Sequence, residues 1–136
     1  KCAQAFTKVS GSSFGTLTAI GLIAASKQLK DIKKLNSELL SVAIDKAVES
    51  MSNRGKAKLN DKTVLDMLNG LAETFKMNVD SENFVNEALK KSEEILNNFK
   101  LKECKVGRAR IFAKKTIGLD DPGMLAIYML LNCIKN

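Results

Sequence analysis

Three short stretches hold most of the side chains in this chain that could do chemistry. Ser10-Gly11-Ser12-Ser13-Phe14-Gly15-Thr16 sets glycines and hydroxyls at the opening of a helix. Free backbone N–H groups and the helix dipole favour a phosphate or another anion at such a place, although the same residues also serve as a plain cap and turn. Arg54-Gly55-Lys56-Ala57-Lys58-Leu59-Asn60-Asp61-Lys62-Thr63 combines four cations with a glycine, an Asn tolerant of left-handed backbone and an Asp. It lacks the spaced glycines and the Gly-Lys-Ser/Thr ending of a Walker loop, and its simplest reading is a solvated basic loop. In the third stretch the five cations Lys105, Arg108, Arg110, Lys114 and Lys115 lead into Asp120-Asp121-Pro122-Gly123. Phe112 lies among those cations, a pattern compatible with nucleic acid, but no zinc-finger, basic-zipper or RNA-recognition signature accompanies it. Each stretch alone supports anion binding and nothing more specific.

The composition removes whole classes of chemistry. There is no histidine in 136 residues, so no Ser-His-Asp or Cys-His relay and no His-containing zinc site can be assembled from this chain. Cys2, Cys104 and Cys133 are an odd set without C-x-x-C spacing or a secretory signal. They are expected as reduced thiols of a cytoplasmic protein. With 22 Lys and Arg against 15 Asp and Glu, the net charge of +7 favours anionic partners. At 45% hydrophobic and 27% charged, a chain of this length is expected to form one globular domain over residues 1–136. The apolar stretches Ala19–Ala25 and Met124–Ile134 fall far short of the roughly 20 residues that span a bilayer.

What positions the three stretches is a set of helices. One proline, few aromatics and abundant Leu, Lys, Ala and Glu predict an all-α protein. Apolar residues recur at steps of three and four: Leu39, Leu40, Ala43, Ile44, Ala47, Val48, Met51; then Val64, Leu65, Leu68, Leu71, Ala72, Phe75; then Phe84, Val85, Ala88, Leu89, Ile95, Leu96, Phe99. Asn36 or Ser37, Asp61 and Ser81 are the expected N-caps of these three helices. A break at Ser10–Ser13 precedes a helix running to about Lys30, and Ser52–Asn60 is expected as a connecting loop. A last helix follows Pro122, and its apolar character almost all round predicts burial on several sides. Lys1-Cys2-Ala3-Gln4-Ala5-Phe6 opens without a cap or an initiator Met, which reads as the tail of a helix begun upstream, and hence as a fragment.

Taken in order, the stretches resemble the nucleotide-binding L subunit or domain of dihydroxyacetone kinases, whose pattern runs G-G-x-S-G, then R/G-G-K-x-x-x-G-D-K-T-M, then K-G-R-A-x-x-x-x-x-R-S-I-G-x-x-D-P-G. The matching residues are Gly11-Ser12-Ser13, Arg54-Gly55-Lys56-Ala57 with Asp61-Lys62-Thr63, and Gly107-Arg108-Ala109 with Thr116-Ile117-Gly118 and Asp121-Pro122-Gly123. The resemblance covers nearly the whole chain, and its last two blocks are the specific ones. It implies an antiparallel bundle or barrel, here about six helices of an eight-helix barrel. It also implies ADP or ATP bound with two magnesium ions at one rim, and a K subunit or domain that holds dihydroxyacetone on a histidine. A phosphotransferase-system subunit is a further implied partner, as phosphoryl donor; membrane and nucleic acid are not.

Carried over by position, the resemblance puts Ser12 and Ser13 against the nucleotide phosphates and lets the nucleotide approach the backbone at Gly55. It makes Arg108 a nucleotide contact and lines the same site with Asp121, Pro122 and Gly123. The Asp-Pro-Gly turn is therefore expected beside the serine stretch in space. Leu59-Asn60 stands where the family has Pro-Gly, Val64 where it has Met, Lys114-Lys115 where it often has Glu-Arg, and Phe14 where it has a small residue. The family's G-D-x-D-H-G motif, whose aspartates hold both magnesium ions, would precede Lys1, so neither metal ligands nor catalytic residues are assigned here. A chain so constituted is expected to be inactive alone. Two other readings remain open at this point: a non-catalytic relative binding a partner through its basic surface, and a fatty-acid-kinase-type domain, although the latter family has D-A-G-G where this chain has Asp121-Pro122-Gly123-Met124.

Overall fold

The structure is a computed structural model and describes residues 1–79, 81 and 83–135. It is all-helical among the described residues: α1 (Cys2–Val9), α2 (Ser13–Gln28), α3 (Ser37–Gly55), α4 (Val64–Met77), α5 (Phe84–Lys100), a 3-10 helix (Arg108–Thr116) and α6 (Pro122–Lys135). Each α-helix packs on its neighbour in sequence, and α6 also folds back on α4.

The three sequence stripes form the core. Met67, Leu71, Phe75, Ala88, Ile95, Leu96 and Met124 make one buried cluster, with Phe84 and Phe99 packed against it. Met51, Ala57, Val64 and Leu65 make a second, nearer the candidate site. Burying a side chain such as Leu71 or Phe75 contributes about 1.5–3 kcal/mol. Gly21 brings α2 close to α3, since a Cβ there would stand 2.6 Å from the Met51 sulfur.

Helix direction follows from what meets at the ends. The last residue of α3, Gly55, lies against Leu17 near the start of α2, and Phe14 of α2 and Val64 of α4 both lie against Gly123 of α6. The carbonyl of Lys100, at the end of α5, accepts from Lys62 just before α4. Starts of α2, α4 and α6 and ends of α3 and α5 therefore share one end of the bundle. At the other end, the Ser37 hydroxyl at the start of α3 donates to the Asn78 and Val79 carbonyls beyond α4. This up-and-down order is the antiparallel arrangement that short connections favour.

Several local expectations are corrected. Asn36 does cap α3, its side chain accepting from the Leu39 N–H, but the cap of α4 is Thr63, not Asp61. Asp61 instead accepts from the Lys58 N–H and closes the preceding turn. Asn83, not Ser81, is the N-cap of α5, and Ser81 accepts from its N–H. Helix α3 runs on through Arg54 to Gly55 and ends on Lys56 in left-handed conformation, which shortens the expected Ser52–Asn60 loop. Helix α6 is not covered on several sides: Met129, Leu130 and Ile134 are exposed, because α4 and α5 account for its principal helix contacts. No described helix is long and apolar enough to cross a membrane.

Candidate functional site

All three stretches come together at the shared end of the bundle. The first opens α2. Ser12 is its N-cap, and its hydroxyl accepts from the Gly15 N–H at 3.1 Å and shares a 2.8 Å hydrogen bond with Ser10. Ser13 follows as an exposed first helical residue. The amides of Ser13 and Phe14 belong to the first turn, which has no helical acceptor for them. Gly55 packs on Leu17 of the same helix, so the second stretch borders the first.

The third stretch closes the site. Gly123 sits in the first turn of α6, after Pro122 at a position where proline costs the helix no hydrogen bond. A Cβ on Gly123 would stand 3.0 Å from the Phe14 ring, 3.1 Å from Asp121 Oδ1 and 3.2 Å from Val64 Cβ. The Asp-Pro-Gly turn and the serine stretch are thus spatial neighbours, as expected from the sequence. Asp121 Oδ1 caps α6 by accepting from the Met124 N–H at 2.9 Å. Burial pushes its carboxyl above the ordinary range, while the Met124 and Gly123 N–H groups and the Lys62 ammonium pull it back. Asp120 Oδ2 pairs with Lys100 at 3.1 Å, and Oδ1 is buried without a hydrogen-bond partner among the described residues.

A cavity of about 290 Å³ lies under this turn, bordered by Lys62, Cys104, Phe112, Leu119, Asp121 and Pro122 among others. Its walls are mainly apolar, the usual character of a site for a flat organic group with a few placed polar atoms. Cys104 is buried, and burial together with the nearby Asp121 charge pushes its thiol pKa up, so it is a neutral, unreactive wall. Arg108 is exposed at the start of the 3-10 helix and is not part of the cavity wall; its neighbour Ala109 is. The 3-10 helix bends at Ala113, which has φ 44°.

Some residues that build the site were not singled out as such from the sequence. Lys62, one of the four cations of the stretch read there most simply as a solvated loop, is 1% exposed and fully enclosed. Its ammonium donates to the carbonyls of Lys102 and Thr116 at 2.8 Å and of Lys100 at 3.4 Å. No sequence signal separates such a lysine from its solvated neighbours, because the enclosing groups are backbone carbonyls from residues far along the chain. Asp66 is different. It accepts from the Thr63 and Asn60 N–H groups, and Thr63-x-x-Asp66 is a legible capping box.

The family model of the DAK2 domain matches residues 1–136. The chain belongs to the DAK2 domain family. Among relatives, an L-erythrulose kinase of Pectobacterium atrosepticum is 25% identical over 139 residues, covering 99% of this chain and 24% of that protein. Human Triokinase/FMN cyclase is 30% identical over 128 residues, covering 91% of this chain and 22% of that protein. The ADP-binding subunit DhaL of PEP-dependent dihydroxyacetone kinase 1 of Listeria innocua is 27% identical over 128 residues, covering 94% of this chain and 60% of the subunit. The DAK2 domain described here therefore spans about a quarter of the length of the first two relatives and less than two thirds of the third.

Proposed function

We propose that this DAK2 domain is the ADP- or ATP-binding part of a dihydroxyacetone (glycerone) kinase that phosphorylates dihydroxyacetone held on a separate K subunit or domain. One observation carries the reading: Phe14 and Val64 meet Gly123, so the serine stretch adjoins the Asp-Pro-Gly turn, whose Asp121 and Pro122 border the cavity. The first-turn amides of α2 offer donors to phosphate oxygens. Phe112, Leu119 and Pro122 offer apolar surface to a base, and Arg108 stands at the rim as a fixed cation suited to a phosphate. The kinase names of the relatives support the same reading.

The two magnesium ions implied by the resemblance do not fit the residues described here. No group of three or more Asp, Glu, Cys or His gathers as a metal site among the described residues. Asp120 is drawn to Lys100, and Asp121 spends an oxygen on the α6 cap. No metal ligand is therefore proposed among the described residues. The proposed setting is cytoplasmic, with a K-type partner and either ATP or a phosphotransferase-system subunit as donor. The test is calorimetry of ADP with the intact protein, followed by phosphorylation of dihydroxyacetone with a K-type partner and each donor in turn. Absence of ADP binding would overturn the proposal.

A further inference from the structure

We propose that Lys62 is a positioning residue of the nucleotide site: without touching ligand, its buried ammonium ties the end of α5 to Thr116 and so sets the width of the cavity under Asp121. The inference rests on the nucleotide-binding reading and adds to it a residue and its role. A lysine is almost never fully buried unless its charge is satisfied. Here three backbone carbonyls satisfy it, those of Lys100, Lys102 and Thr116, and among the described residues no carboxylate forms an ion pair with it. A buried cation held only by carbonyls supplies no surface charge for recruiting anions. What it does supply is a fixed point, because the Lys102 carbonyl would lose its donor if the ammonium left, and the Lys100 and Thr116 carbonyls would keep only the Gly118 and Leu119 N–H groups, which do not tie them to residue 62.

The surrounding hydrogen bonds show what is being fixed. The Lys105 N–H donates to the Asp61 carbonyl at 3.1 Å and the Cys104 thiol to the Lys62 carbonyl at 3.5 Å. The Cys104 N–H donates to the Thr116 hydroxyl at 2.9 Å, and the Gly118 N–H to the Lys100 carbonyl at 2.8 Å. Residues 100–105 and 116–118 are thereby clamped to residues 61–62. Asp120 and Asp121 follow directly, and Lys62, Cys104, Thr116 and Asp121 all border the cavity. Lys62 itself holds a left-handed backbone at φ 60°, a conformation that costs a non-glycine residue energy and is retained here by the enclosure of its side chain.

The experiment uses the intact protein with Lys62→Ala, which removes three methylenes and the ammonium. ADP affinity is measured by calorimetry, thermal unfolding by circular dichroism, and hydrogen exchange at the Cys104, Lys105 and Gly118 amides. The expected result is a folded variant whose ADP affinity falls by about tenfold or more, with faster exchange at those three amides. Added n-propylammonium, the missing part of the side chain, should restore affinity, while n-propanol should not. A folded variant with unchanged affinity would overturn the inference, as would rescue by propanol alone. If Lys62→Ala does not fold, Thr116→Val carries the test. It loosens the same clamp while leaving the ammonium in place, and unchanged ADP affinity in that variant overturns the inference too. If the unmodified protein binds no ADP, the nucleotide reading falls by itself. The exchange measurement then decides the clamp: accelerated amides support it, and unaltered ones refute it.

Discussion

At the scale of single residues, the site divides into groups legible from motif and groups that only enclosure identifies. Arg108 is exposed beside the cavity, and Arg108→Ala should weaken ADP binding by about 1.5–3 kcal/mol, the range for a charged hydrogen bond; calorimetry of the intact protein reads it directly. A methyl group on Gly123 would crowd Phe14, Asp121 and Val64 at 3.0–3.2 Å, so these neighbours would have to give way by a few tenths of an ångström. Gly123→Ala should therefore displace the start of α6 and cost about 1–3 kcal/mol of stability in chemical denaturation, with loss of ADP affinity in parallel. Asp121 gives a pH signature. Its carboxyl is raised from an ordinary value of 3.8, chiefly by burial, so the folded protein holds that proton more tightly than the unfolded chain. The stability it contributes is complete below pH 3.8 and is lost as the pH rises through the folded value. Asn keeps the cap acceptor without the charge. Asp121→Asn should thus withstand more urea than the parent near neutral pH, and the difference should vanish as the pH falls toward 3.8.

At the scale of the element, the helices follow from their stripes and caps, and the errors fall where two capping residues compete. Asp61, Lys62 and Thr63 precede α4 together, and an isolated Asp is as good a cap as Thr. Thr63 prevails because Asp66 lies three residues on and returns a hydrogen bond to the Thr63 N–H at 2.8 Å. The same Asp66 also accepts from Asn60. It thereby fixes the turn that delivers Lys62 to its carbonyls. Asp66→Ala leaves two amides without their acceptor and should cost about 2–4 kcal/mol, read as a lower midpoint in urea. If α4 instead lost no stability, the capping box would not be what anchors this end. The 3-10 helix within the third stretch had no apolar stripe to announce it.

At the scale of the whole molecule, phosphoryl transfer relies on positioning and on neutralising charge at the transferring group. Among the described residues this chain offers the surface proposed for a nucleotide and no metal cluster, and its sequence holds no histidine for a carbonyl substrate. Residues 1–136 by themselves should therefore form no dihydroxyacetone phosphate even with a K-type partner present. On the proposed reading, residues 1–136 joined to a segment carrying the family's G-D-x-D-H-G motif should do so under the same conditions. Comparable turnover by residues 1–136 alone would overturn this assignment of the metals.

The sequence by itself determined the all-helical class, the three stripes that became the core, and the order of blocks that identified the family. Those are local or periodic signals: a helix buries residues three and four apart whatever it packs against, and a Gly-Ser or Asp-Pro-Gly run carries its turn chemistry with it. Only the tertiary structure decided that Phe14, Val64 and Gly123 meet, that Met129, Leu130 and Ile134 of α6 remain exposed, and that Lys62 is an interior clamp while Arg108 faces solvent. The reason is that burial of a charge depends on which acceptors arrive around it. For Lys62 these are the carbonyls of residues 100, 102 and 116, brought back to residue 62 by the antiparallel return of α5, a meeting that no spacing in the second stretch encodes.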